Sequence, residues 1–414
     1  MINLRSSRQQ AAFISILCCL VYFTSYLTRV NYSAALVELA QSLHLSNQIA
    51  GMAVIGLFIT YGIGQPICGF LGDRIEPRTM IFTGLVATAL CNFTIAFMSN
   101  IYWITIVWCL NGFFQAMLWP PLVRFMTGYL SPELYRKAIV GITAASSTGT
   151  IMVYLLVPLS IWISSWRLAF VIPSIAAFVV AFIWLYSVKG LAAKRDSMEE
   201  PRSEQPTTRS GVGSLIMLSG LLPIMLVIIL QGALRDGITT WMPTYVNDVF
   251  QLGTSISILS GAVLPLFTIL FVYIAAHIYK CVPNELTTSA ILWGAGLVAG
   301  SILIWTFASH AMISILLMAL LTGCMHGINL MLLSNLPMHF AKYGRASTMS
   351  GVLNGFTYVG SAISIYGVAA LSEAYGWRVT ILCWTIIVLI GLVICIGCMK
   401  RWRSFTDMTV QAGH

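Results

Sequence analysis

Two arginines dominate the chemistry open to this chain. Of its 22 lysines and arginines, all but Arg29, Arg124 and Arg235 fall at the ends of apolar stretches. Arg124 lies near one end of its stretch, where a long side chain can snorkel to the interface. Arg29 and Arg235 lie deeper, where an arginine costs about 2.5–3.5 kcal/mol on insertion scales, so something must offset the charge. Of the 13 acidic residues, only Asp236 lies deep in an apolar stretch, which leaves Arg29 without an acidic partner in its own half. One account is that each arginine pairs with a carboxylate or with backbone carbonyls. The other is that two arginines at matching places face one cavity and clamp an anion, because guanidinium presents forked donors that fit phosphate or carboxylate.

Polar residues recur around them at helical spacing. Tyr22, Tyr26, Arg29 and Ser33 stand at i, i+4, i+7 and i+11 and so share one helix face. Tyr61 with Gln65, Gln115 with Trp119, His326 with Asn329, and Asn354 with Tyr358 and Ser361 repeat the pattern. A single such pair commonly makes an inter-helix hydrogen bond, whereas five in one chain predict an aqueous path. Asp236 and His326 are the groups placed to titrate along it. Neighbours at i and i+1 on a helix do not face each other, so Asp236 is expected to point away from Arg235 toward another helix in a structural role, unless a break at Gly237 turns it to the cavity.

The elements that must hold these residues follow from composition. In 414 residues, 58% are hydrophobic and 8% charged, against about 25% charged in soluble domains, which excludes an ordinary soluble enzyme. A spanning helix needs about 20 apolar residues, so the chain has room for about twelve spans. Apolar runs such as 215–230 and 379–399 are helix-length, unlike the roughly 10-residue alternating segments of a membrane barrel. The fold class is therefore an all-α membrane protein of twelve transmembrane helices in two six-helix halves. Spans are expected at 101–129, 214–245, 311–339, 347–372 and 377–399, among others. Arg5 and Arg8 ahead of the first span imitate a signal peptide, but eleven further spans and no clear small-residue cleavage site argue that it stays as helix 1.

The net charge of +9 would suggest nucleic acid in a soluble chain; here the charges sit at span ends, so the partner is the lipid bilayer and no nucleic acid is expected. The amino terminus, the even-to-odd loops and the carboxyl tail carry nearly all the basic residues, while the opposite loops hold only Arg167 and Arg378. That asymmetry predicts a multi-pass protein of the cell inner membrane with both termini cytoplasmic. The ten cysteines lie in apolar stretches, and Cys395-x-x-Cys398 lacks the soluble context of a redox pair.

The two halves repeat. Arg29 and Arg235 are 206 residues apart, as are Arg74 and Lys280, while Ser165-Trp166-Arg167 and Gly376-Trp377-Arg378 are 211 apart. Residues 1–188 and 213–400 are expected as two parallel six-helix bundles, with 189–212 a cytoplasmic linker and 401–414 a cytoplasmic tail. Parallel repeats with a midplane site between them are a transporter layout.

A resemblance enters with three motifs. Gly69-Phe-Leu-Gly-Asp73-Arg74-Ile-Glu-Pro-Arg78 resembles the loop 2–3 motif of the major facilitator superfamily, and its Asp-Arg-x-x-Pro-Arg ending resembles the organophosphate:phosphate antiporter branch. Tyr26-Leu-Thr-Arg29-Val-Asn31, Gly112-Phe-Phe-Gln115-Ala-Met-Leu-Trp119-Pro120-Pro121-Leu-Val-Arg124 and Arg235-Asp-Gly237-Ile238-Thr-Thr-Trp241-Met-Pro243-Thr244-Tyr245 are similar to the glycerol-3-phosphate and hexose-phosphate transporters of that branch. The resemblance implies that Arg29 and Arg235 bind phosphate, that Tyr22, Tyr26, Tyr61, Trp119 and Tyr358 line the pocket, and that Asp73, Arg74 and Arg78 form a gating motif in which Asp73 caps helix ends and the arginines stay in the anionic-lipid zone. Three departures stand out. Tyr61-Gly-Ile-Gly-Gln65 replaces a Tyr-Gly-x-Ser-Lys pattern, Ser146-Ser147-Thr148 stands where the relatives carry a histidine, and Asp236 follows the second arginine where a neutral residue is expected.

The implied activity is antiport of an anionic, phosphorylated small metabolite against inorganic phosphate by a monomer. The alternatives are proton-coupled symport of a sugar acid or other organic anion through Asp236 or His326, and a transporter-like ligand sensor. No enzyme activity, cofactor or metal is expected, because no Ser/His/Asp set, metal-ligand spacing or phosphate-cradling glycine loop stands out.

Overall fold

The computed structural model describes residues 2–45, 47–196, 212–252, 260–261 and 263–411. Among the described residues there is no strand. The helices are α1 (Ile2–Ser42), α2 (Asn47–Gly72), α3 (Pro77–Ile95), α4 (Ile101–Ala116), α5 (Trp119–Tyr129), α6 (Pro132–Ile163), α7 (Leu168–Asp196), α8 (Val212–Ser219), α9 (Leu221–Phe250), α10 (Val263–Cys281), α11 (Glu285–Thr306), α12 (Ala311–Asn329) and α13 (Ala346–Gln411). Eleven continuous helical stretches among the described residues are long and apolar enough to cross a membrane. The last of them is two helices meeting at Gly376, whose φ of 77° and ψ of 172° only glycine adopts without strain, which accounts for the twelfth expected span. Most of the expected linker, at 197–211, lies outside the described residues.

Breaks inside the expected spans follow from proline and glycine. The 101–129 span divides at Met117 and Leu118 because Pro120 and Pro121 cannot donate into the preceding turn and instead occupy the first turn of α5. Pro337 has the same defect, and the 311–339 span passes from α12 into a π-helical turn, Leu330–Asn335, and a 3-10 stretch, Leu336–Tyr343. Gly220, at φ 69° and ψ 32°, separates α8 from α9. Exposed Trp103, Trp162, Trp305 and Tyr375 sit near helix ends, where amphipathic rings match the headgroup level of a bilayer.

Contacts divide the chain into two compact units, Met1–Arg209 with Phe340–Gly355, and Ser210–His339 with Phe356–His414. In the first unit α1 packs on α6 and α7, α2 on α4, and α3 on α7. One end of the core is aromatic: Tyr32 lies 5.0 Å from Trp108, and Phe170 packs edge-on to Trp108 at 5.9 Å and to Trp166 at 5.7 Å. Deeper in, α1 is held by amides. The Thr28 carbonyl accepts from Asn92 Nδ2 and Asn111 Nδ2, each at 3.0 Å. Gln115 Nε2 donates to Thr28 Oγ1 at 2.9 Å, while Ser25 Oγ donates to Gln115 Oε1 at 2.6 Å. Asn31 Nδ2 donates to Asn92 Oδ1 at 2.8 Å and to the Ala169 carbonyl at 3.1 Å. The expectation that Gln115 lines an aqueous path is thereby corrected: it is buried and bonded to α1, because in an apolar interior an amide saves most by pairing with a neighbouring helix.

Two arginines in this unit close helix ends. Arg167 Nη1 donates to the Ala96 and Met98 carbonyls at 2.9 and 2.8 Å, beyond the end of α3. Arg124 Nη1 donates to the Gly72 and Ile75 carbonyls at 2.6 and 3.0 Å, at the end of α2. Arg124 thus reaches the end of the neighbouring span and there meets unsatisfied terminal carbonyls, which carry a partial negative charge. Beside it, buried Asp73 accepts the Ser347 and Thr348 amides at 3.0 Å each and the Thr348 hydroxyl, at the start of α13. This is an anion on a helix N-terminus, as the loop motif implied.

In the second unit α12 packs on α9, α10 and α11. Glycines let α9 and α13 approach at backbone distance: Gly232 lies against Thr357, Gly237 against Ser364 and Gly360 against the Ile229 carbonyl. Buried Glu285 accepts from Tyr279 Oη at 2.8 Å, from His339 Nε2 at 2.9 Å and from Trp402 Nε1 at 2.9 Å. α13 runs on to Gln411, and Trp402 and Phe405 are buried, so the residues expected as a tail begin as packed helix.

Burial pushes the Asp73 carboxyl above the usual carboxylate range, against the pull of the Thr348 and Ser347 donors and the Arg124 charge. A folded-state pKa above the unfolded one means the fold binds the proton more tightly, so stability is expected to fall as pH rises between the unfolded and folded values. Thermal unfolding in detergent across the acidic range checks this. Asp73→Asn is expected to lack the fall, and Asp73→Ala, which strands two buried amides, is expected to be less stable by about 1–3 kcal/mol. Parallel profiles for Asp73→Asn and wild type would contradict the assignment.

Candidate functional site

The first unit gathers four of the expected pocket residues, Tyr22, Tyr26, Tyr61 and Trp119, near Arg29. Its Cζ lies 4.4 Å from the Tyr26 ring centroid and 4.9 Å from that of Tyr61. Tyr22 stands 5.5 Å from Tyr26 on the same face of α1 and 5.0 Å from Trp119. Trp119 reaches it because the double proline restarts the helix there. The rings give the guanidinium a cation–π environment, worth about 0.5–2 kcal/mol. One turn beyond Tyr61, Gln65 is fully buried, with neither atom of its amide hydrogen-bonded. An unpaired buried amide costs about 1–3 kcal/mol.

The second unit builds a different environment for Arg235. Its Nε and Nη2 donate to Asp236 Oδ1 and Oδ2 at 2.7 and 2.8 Å, and its Nη1 donates to Asn329 Oδ1 at 3.1 Å. Asp236 Oδ2 also accepts from Ser361 Oγ on α13. The expectation that Asp236 turns away from Arg235 is thus corrected. Adjacent helical positions diverge, but both side chains are long enough to bend to a common side, and a deep charge gains more from its nearest counter-ion than from any farther one. No break at Gly237 is needed, since α9 is continuous there; what Gly237 supplies is the close approach of α13 that brings Ser361 to the carboxylate.

His326 lies on the same face of α12 as Asn329 and within charge-interaction range of Arg235 and Asp236. Tyr358 is half-buried, one turn before Ser361 on α13. The pocket residues therefore form two clusters, Tyr22, Tyr26, Arg29, Tyr61 and Trp119 in the first unit and Arg235, Asp236, Asn329 and Ser361 in the second, with His326 and Tyr358 flanking the latter.

The loop motif is split in its roles. Arg74 is exposed, its Cζ 4.1 Å from the Phe70 ring. Arg78 is half-buried, its Nε donates to the Leu185 carbonyl at 3.1 Å, and its own carbonyl accepts from Trp184 Nε1 at 3.0 Å. Arg124 joins Asp73 at this end of the unit, a partnership hidden by a separation of 51 positions. Ser347 and Thr348, the recipients of Asp73, carry a legible signal, a hydroxyl pair opening a helix just after Gly344. Glu285, His339 and Trp402 carry none, being scattered along the chain. All ten cysteines are free thiols.

Residues 18–365 match the Major Facilitator Superfamily. The chain is 24% identical to the glycerol-3-phosphate transporter of Bacillus subtilis over 383 residues, covering 86% of this chain and 85% of that one. It is 22% identical to the membrane sensor protein UhpC of Salmonella typhimurium over 377 residues, 86% and 84% of the two chains. A probable hexose phosphate transport protein of Chlamydia muridarum is 28% identical over 193 residues, which is 44% of this chain and 42% of the relative, less than half its length. Among solved structures, the fucose:proton symporter FucP of E. coli superposes with a TM-score of 0.71 at 12% identity over 94% of this chain and 99% of that one. The human organic anion transporter MFSD10 gives 0.70 at 15% identity over 93% and 98%. The family match over residues 18–365 carries the conclusion beyond the fold alone: this chain belongs to the Major Facilitator Superfamily.

Proposed function

We propose that this chain is a secondary active transporter of the inner membrane, with both termini cytoplasmic, that carries an anionic, phosphorylated small metabolite in exchange for inorganic phosphate by alternating access. The observation that carries this reading is the pair of deep arginines 206 residues apart. Arg29 is set among the aromatic rings of Tyr26 and Tyr61, and Arg235 presents a fork already engaged with a carboxylate, the geometry an organic anion or phosphate would adopt. The relatives named for glycerol-3-phosphate and hexose phosphate support a phosphorylated substrate class. The tyrosine hydroxyls and the Gln65 amide add neutral hydrogen-bonding groups of the kind that orient a polar ligand.

A second reading rests on His326 beside the Arg235–Asp236 pair: titratable groups inside a membrane mark proton relays, so proton-coupled symport of an organic anion competes with phosphate antiport. Radiolabelled phosphate exchange in proteoliposomes, with and without an imposed pH gradient, separates the two. Antiport predicts exchange that requires phosphate on both sides and is not driven by the gradient. Gradient-driven uptake without internal phosphate would favour symport, and binding without flux would favour a sensor.

In the same vesicles, Arg29→Lys and Arg235→Lys are each expected to lower exchange by about tenfold or more, because lysine keeps the charge but loses the fork. Either variant exchanging at the wild-type rate, with normal insertion, would remove that arginine from the binding role. Tyr61→Leu is expected to weaken phosphate affinity by about threefold to tenfold through loss of the cation–π face, while Tyr61→Phe, which keeps the ring, is expected to lose less; equal losses would assign the effect to the hydroxyl.

A further inference from the structure

Asp236 is seated on Arg235 as a ligand would be. Its two oxygens take Nε and Nη2 of the guanidinium at 2.7 and 2.8 Å, the bidentate fork in which arginine binds a carboxylate or two phosphate oxygens. One of those oxygens is also held by Ser361, and Asn329 takes Nη1. Three of the guanidinium's five N–H donors are thus accounted for, with the charge matched one for one by an adjacent carboxylate.

We propose that Asp236 is a built-in competitor for the anion site: a tethered carboxylate that occupies the Arg235 fork, must be displaced or shared when an anion binds there, and so biases the site against doubly charged ligands in favour of singly charged ones. This rests on the reading of Arg235 as an anion-binding residue. The physical argument is one of charge. A monoanion approaching Arg235 meets a neutral pair and can share its donors, whereas a dianion brings a second negative charge beside the aspartate. Like charges a few ångströms apart in a poorly screened interior repel strongly. Ser361 makes the arrangement a built one: it is presented by the Gly237 and Gly360 contacts between α9 and α13 and donates to the carboxylate that faces Arg235, not to the arginine.

The test is competition against radiolabelled inorganic phosphate on the purified full-length protein in nanodiscs at alkaline pH. The two probes are methyl phosphate, a dianion there, and dimethyl phosphate, a monoanion at any working pH. Wild type is expected to bind the two within about threefold of each other. In Asp236→Asn, which keeps the size and removes the charge, methyl phosphate is expected to gain about tenfold over dimethyl phosphate. Ser361→Ala, which loosens the carboxylate without removing it, is expected to shift the preference in the same direction by less, and it decides the matter if Asp236→Asn does not fold. Unchanged preference in the folded variants would overturn the proposal, as would loss of both probes, which would make Asp236 a positioning residue for Arg235. If wild type itself binds neither inorganic phosphate nor either ester, the phosphate reading falls and the competitor with it, an outcome distinct from unchanged preference.

Discussion

An arginine in the middle of an apolar helix costs about 2.5–3.5 kcal/mol on insertion scales, and much of this structure is arranged around meeting that cost twice. The two solutions differ. Arg29 is surrounded by the faces of Tyr26 and Tyr61, which stabilise a cation without adding negative charge. Arg235 is given a carboxylate, an amide oxygen and, through the carboxylate, a serine hydroxyl. The second matches the charge with a carboxylate, so two arginines 206 residues apart have different surroundings.

Each solution depends on how its helix is held. α1 cannot rely on hydrophobic attraction to its neighbours in a bilayer, and its register is fixed by amides: Asn92 and Asn111 converge on the Thr28 carbonyl and Gln115 on the Thr28 hydroxyl, immediately before Arg29. Rotation of α1 would break all of these together, so the direction of Arg29 follows from buried polar groups that touch no ligand. α9 uses the other device available in membranes, small residues at a close crossing. Gly232, Gly237 and Gly360 bring α13 near enough for Ser361 to reach Asp236, and a side chain at any of the three would push that serine away.

The sequence made the large features legible because each has a local or periodic cause. Composition and run length specify the helices, and the i, i+4, i+7 stripe on α1 places Tyr22, Tyr26 and Arg29 on one face, where they are found. What stayed hidden depends on competition among partners. Gln115 and Gln65 look alike as polar residues in apolar helices, yet one is fully bonded to α1 and the other has a buried unpaired amide; only the positions of Ser25 and Thr28 in space tell them apart. Spacing rules put Asp236 on a different face from Arg235, but deep in a membrane the attraction between adjacent opposite charges outweighs helical divergence. The partners of Arg124 were hidden because the carbonyls it satisfies lie at and just past the end of α2, and Glu285 gave no signal because its donors come from three separate elements.

The central claim is that Arg29 is retained for a ligand and not for the stability of the fold. Thermal unfolding of wild type and Arg29→Gln, with chloride or with inorganic phosphate at matched ionic strength, tests it directly. A ligand that binds only the folded state raises the unfolding temperature in proportion to its occupancy. The account predicts that Arg29→Gln is no less stable than wild type in chloride, because it removes a costly charge, and that it loses the rise phosphate produces in wild type. A variant that is destabilised in chloride yet keeps the full phosphate-dependent rise would show that Arg29 serves the fold, and would contradict the account.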